Sequence, residues 1–214
     1  MGYKHKEFLK DQFFSNTLQA TAQRAGLYRQ DSSDEAKGAF RSALKTRLRA
    51  LVEQYRNGLS EELHLANISG LADELSGVHA EALNGGRFRI GTAQKALNLY
   101  LKYWWCAGWI AEPPHCPFDA IILAYVPECR DMRWTKLDSL EDYKRIVHFS
   151  KIVAAGRSLS EWELAVYTKI DPAVEERLME DSAQIKELKK SLGIGPGAVI
   201  LRDGTRKIPD DNDA

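Results

Sequence analysis

The chain runs to 214 residues, 44% of them hydrophobic, with 30 basic side chains balanced by 30 acidic ones and a formal net charge of zero. That length and apolar share suffice to bury one sizeable core. The charge balance excludes a global field that draws the chain to nucleic acid or membrane, so any anion site has to be a local patch.

Met1 to Lys10 carries Lys4, Lys6, Glu7 and Lys10 with no apolar stretch behind them, so no secretory signal is expected. Three cysteines, Cys106, Cys116 and Cys129, do not suggest a disulfide framework, and a reducing cytoplasm is the expected setting. Residues 4 to 24 place Phe8, Leu9, Phe13, Leu18 and Ala22 at helical spacing, and Gly26 closes this first helix. Ser32 and Glu35 read as a capping box, after which Phe40, Leu44, Leu48, Leu51 and Tyr55 keep a 3.6-residue period as far as Asn57-Gly58. Ser60 is placed to cap a third helix with Leu63, Leu65, Ile68, Leu71, Leu75 and Val78 on it.

Asn84-Gly85-Gly86 breaks the chain, and Ile90 to about Ala107 reads as a fourth, largely buried helix. Its apolar stretch, Leu97 to Ala111, is broken by Lys102 and too short to span a bilayer, so no membrane partner is expected. Gly108, Pro113, Pro114 and Pro117 enforce an irregular connection to a short apolar helix within Phe118 to Val126. Asp138 is expected to cap a helix through Ala155, and Ser158 with Glu161 to cap another through Lys169. Asp171-Pro172 opens a charged helix to Gly193, and a hairpin around Asp203-Gly204 ends the chain. The expected architecture is mainly α: a single multi-helix globular domain of seven or eight helices with a short C-terminal β-hairpin. Residues 1–85 supply N-terminal helices, 86–192 the catalytic half, and 193–214 the hairpin and tail.

Chemistry-bearing residues concentrate between Arg87 and Asp119. On one helix, Lys95, Asn98 and Lys102 fall at i, i+3 and i+7 and form a polar stripe on an otherwise apolar element. Such a stripe must face water, a partner or a ligand. In the plain alternative the lysines snorkel to solvent and the aromatics fill the core. In the sharper one, Lys95 and the proline-flanked Asp119 make an amine and carboxylate pair. His115, Cys116, Cys106 and Cys129 lack the short ligand spacings of a zinc site, so neither metal nor cofactor is expected.

The stretch from Ile90-Gly91-Thr92-Ala93-Gln94-Lys95 to His115-Cys116-Pro117-Phe118-Asp119 resembles the helix-hairpin-helix DNA glycosylases, in which a glycine-containing hairpin leads into a lysine-bearing helix and a loop then delivers an aspartate. Gly91 stands alone here where that family's hairpin carries two closely spaced glycines, and the four cysteines of the family's iron–sulfur branch are missing. The resemblance implies excision of a damaged or modified DNA base, with Lys95 as nucleophile and Asp119 as its charge partner. It implies Arg87, Arg89 and Gly91 against the DNA backbone, and Asn98, Lys102, Tyr103, Trp109 and His115 around a flipped base. The lysine is expected to be buried beside Trp104 or Trp105. The alternative partner reading is a non-enzymatic helical module that binds nucleic acid or protein through the Arg87 to Lys102 surface.

Overall fold

A computed structural model describes residues 2–169, Glu187, Val199–Ile200 and Arg206–Lys207. The chain divides into two compact units, Met1–Tyr167 and Thr168–Ala214, and the fold described below is that of the first. The charged helix expected from Asp171 to Gly193 and the hairpin turn at Asp203-Gly204 lie outside the described residues.

The described chain is mainly helical: α1 (Tyr3–Ala25), α2 (Asp34–Val52), α3 (Glu61–His79), α4 (Ile90–Cys106), α5 (Ala120–Leu123), α6 (Leu140–Ala154) and α7 (Leu159–Thr168). Among the described residues no helix is long and apolar enough to cross a membrane. Helix α1 ends as expected at Gly26, whose φ of 54° is the left-handed conformation that glycine adopts without a Cβ penalty. Ser60 and Ser158 also cap as expected, accepting from the backbone N–H of Leu63 and of Glu161.

Two caps differ from expectation by one residue. Ser33, not Ser32, accepts from the Ala36 N–H at the head of α2. Ser139, not Asp138, accepts from the Asp142 N–H at the head of α6. Asp138 is drawn instead to another helix: its carboxylate accepts from the Ile90 N–H at 3.1 Å and so satisfies the first orphan donor of α4.

Helix α4 lies at the centre, packed against α1, α2, α3 and α6 and against the 3-10 turn Trp134–Lys136. Leu44 and Leu48 of α2, Ile68 and Leu71 of α3, and Ala93, Leu97 and Leu101 of α4 are fully or almost fully buried together. Burial on nearly every side also encloses the polar residues of α4, among them Gln94, Lys95 and Asn98. The expected stripe is therefore not a solvated face, and each of these groups has to find partners inside the protein.

A candidate active site between a lysine helix and an aspartate cap

Lys95 Nζ lies 3.2 Å from Asp119 Oδ2, with side-chain exposures of 7% and 22%. The amine also sits 4.4 Å from the centre of the Trp134 ring. Trp134, rather than the expected Trp104 or Trp105, is the aromatic wall beside it. Asp119 is the N-cap of α5, and its other oxygen accepts from the backbone N–H groups of Ile121 at 2.9 Å and Ile122 at 3.2 Å. The carboxylate is thus oriented by its own helix before Lys95 reaches it.

Two neighbours of Lys95 on α4 fix the loop that delivers Asp119. Gln94 pairs with both backbone groups of Phe118, donating from Nε2 to the carbonyl at 2.7 Å and accepting from the N–H at 3.2 Å. Asn98 donates to the Cys116 carbonyl at 2.8 Å and to the Tyr143 hydroxyl. Asn98, expected at the substrate, is instead a buried tie between α4 and the loop. Gln94 was not among the expected site residues, since a glutamine one residue before a lysine carries no signal of its own.

The pair opens on a cleft of about 280 Å³. Its walls are Ala20 and Gln23 of α1, Lys95, Leu99, Lys102 and Tyr103 of α4, Pro117, Asp119, Ile121 and Ile122 from the loop and α5, and Glu163 and Tyr167 of α7. Lys102 Nζ donates there to Glu163 Oε2 at 2.6 Å and lies 4.4 Å from the centre of the Tyr167 ring. Burial pushes the Glu163 carboxyl above the ordinary range, against the pull of the Lys102 ammonium. Burial likewise pushes the Tyr103 hydroxyl up, and its ring stacks on Phe13 at 5.4 Å between centres. Lys102 and Tyr103 thus line the same cleft as Lys95 and Asp119.

The other expected residues are placed elsewhere. Trp109 packs against Phe13 and Trp104 and is not part of the cleft lining. Arg87 is bound by Asp73 at 2.7 Å and by Asp138 at 3.2 Å, so its guanidinium is already neutralised. Gly91 is buried, its N–H donating to the Leu137 carbonyl at 2.8 Å, and the start of α4 is covered by the turn around Trp134. It does not offer an open backbone clamp. Among the described residues Arg89 makes no ion pair, and its side chain is half-buried beside Gly85.

His115 lies apart from the cleft in a buried polar chain. Its Nδ1 is hydrogen-bonded to the Tyr143 hydroxyl at 2.8 Å, and its ring stands edge-on to His64 at 4.6 Å. His64 Nδ1 is in turn bonded to the Tyr55 hydroxyl at 2.8 Å. Asn67 donates to the Tyr55 oxygen and Asn98 to the Tyr143 oxygen. The assignment that strands no hydroxyl proton has both tyrosines donating to Nδ1, which leaves each imidazole proton on Nε2. Among the described residues neither Nε2 has a well-aligned partner, although Glu61 Oε1 comes within 3.3 Å of that of His115. Burial holds both imidazoles below their ordinary range, His115 at about 3. Among the described residues no group of three or more His, Cys, Asp or Glu side chains is placed to hold a metal ion. The three cysteines are free.

Compared with known protein families, curated proteins and solved structures, the chain has no match.

Proposed function

We propose that the protein is a DNA glycosylase-like enzyme that excises a damaged or modified base through Lys95 and Asp119. The observation that carries this reading is the meeting of an amine and a carboxylate at 3.2 Å on the wall of a cleft flanked by two tyrosines. In the proposed step Asp119 takes a proton from the Lys95 ammonium, and the freed amine attacks the sugar carbon that bears the base. The carbon–nitrogen bond to the base breaks, its electron pair leaves with the base, and the amine remains on the sugar as a Schiff base once the ring opens. Tyr103 and Tyr167 offer ring faces to a flipped base, and Lys102 offers a cation to the flanking phosphate.

The test is borohydride trapping on DNA that carries deaminated and alkylated bases. The expected result is a covalent protein–DNA adduct that Lys95→Ala abolishes while DNA binding persists. DNA binding by the unaltered protein without adduct or free base overturns the enzyme reading. It supports a second one, a non-enzymatic nucleic-acid-binding module. That reading is favoured by the packing of the same pair, since Asp119 caps α5 and Lys95 lies on Trp134 as a structural staple between helices. Binding to neither kind of DNA removes both.

A further inference from the structure

Two carboxylates line the cleft, and they are supported differently. Asp119 sits at a helix cap with two backbone donors. Glu163 sits on α7 with a side chain only 5% exposed and, among the described residues, one charged partner, Lys102. Burying a carboxylate this far is costly unless its charge is matched or its proton is kept. A pair of acids with environments this unlike is the usual basis for a division of labour between them.

We infer that Glu163 is the proton donor to the departing base, a role that rests on the glycosidic-bond reading above. When the bond from sugar carbon to ring nitrogen breaks heterolytically, the electron pair stays on the base, and most bases leave far more easily if that nitrogen, or one conjugated with it, gains a proton. The Glu163 O–H bond breaks, a base N–H bond forms, and the new carboxylate is left 2.6 Å from the Lys102 ammonium. Lys102 therefore stabilises the product of the proton transfer, and solvent restores the proton after the base has left.

The groups facing Glu163 are consistent with this. Lys102 on α4 lowers its affinity for a proton, Asp119 at the head of α5 raises it, and burial raises it most. Tyr103 of α4 and Tyr167 of α7 line the same cleft, and the α1 residues on its wall, Ala20 and Gln23, are uncharged. The net direction is upward, so Glu163 keeps its proton to higher pH than an exposed glutamate does.

The test separates bases that need a proton from bases that do not. DNA alkylated with dimethyl sulfate carries N-methylpurines that are already cationic and leave as neutral molecules. DNA deaminated with nitrous acid carries uracil, hypoxanthine and xanthine, which depart well only when protonated or hydrogen-bonded. Glu163→Gln keeps the size of the side chain and an acceptor for Lys102. The expected outcome is that Glu163→Gln slows release from deaminated DNA about 100-fold or more and removes the alkaline fall of its pH–rate profile, while release from alkylated DNA stays within about twofold. Equal losses on both DNAs, no loss on either, or a protein that releases only alkylated bases would overturn the inference and leave the base-excision reading standing. Release of no base by the unaltered protein would sink both.

Discussion

A β-carbon at position 91 would lie 1.8 Å from the Trp134 carbonyl oxygen and 2.9 Å from the Leu137 β-carbon. Neither neighbour is the loose end of a flexible side chain, so the turn Trp134–Lys136 would have to move away from α4. That turn also carries the ring beneath Lys95, which ties the smallest residue of the helix to the geometry of the proposed nucleophile. Gly91→Ala is expected to destabilise the protein by about 3 kcal/mol or more, as overpacking against rigid backbone does. Gly70 of α3 is the control, because nothing stands within 4 Å of the position its β-carbon would take. Gly70→Ala should add about 0.5–1 kcal/mol through helix propensity alone. Urea midpoints of the two variants moving in opposite directions would bear this out. A Gly91→Ala midpoint within error of the parent would show that the turn yields freely.

Helix α6 ends on an alanine in the left-handed region, Ala155 with φ 52°, followed by Gly156 with φ 89°. An L-residue pays to hold that conformation, so Ala155→Gly should raise stability by about 0.5–1 kcal/mol; a lowered melting temperature would refute it. The caps also show how far these elements could be read in advance. The spacing of apolar residues marked α1 to α3 well, because one wet face and one dry face leave a period in the sequence. It missed the caps of α2 and α6 by one residue because each site offers two adjacent residues able to cap, Ser32-Ser33 and Asp138-Ser139. At the second site the choice is made by Arg87 and the Ile90 N–H, which claim Asp138 from far along the chain. The amine and carboxylate pair was legible for a local reason: a lysine in an apolar helix and an aspartate confined by proline both stand out from their surroundings. Glu163 was not, because nothing in an ordinary amphipathic stretch tells that it meets a lysine 61 residues earlier. His115 was misplaced for a similar reason. The family resemblance set it around a flipped base, whereas Tyr143 of α6 and His64 of α3 hold it inside.

At the scale of the whole molecule, the two buried histidines make stability depend on pH in a definable window. His115 is held near 3 in the folded protein and His64 is also held low, mainly because burial disfavours their charged forms. The unfolded chain frees both to titrate near the ordinary value of 6.5. Below that value the unfolded state binds protons that the folded state does not, so stability falls as pH falls, and the loss continues toward pH 3. Between pH 7 and 5.5 the neutral buried His115 costs about 1.3 kcal/mol, and His64 adds a loss of the same sign. The carboxylates pulled below their ordinary range, such as Asp11 beside Lys45 and Asp31 beside Arg29, remain ionised in both states there. Glu163 works in the opposite sense, since its raised proton affinity favours the folded state as pH falls, but it is one group against two. Denaturant unfolding at pH 7 and 5.5 should therefore show a drop of about 1 kcal/mol or more, with the His64 and His115 ring signals in NMR showing no protonation over the same interval. An unchanged midpoint, or ring signals that titrate near pH 6.5, would mean that the chain from Tyr55 to Tyr143 admits a proton and that the two imidazoles are not sealed within it.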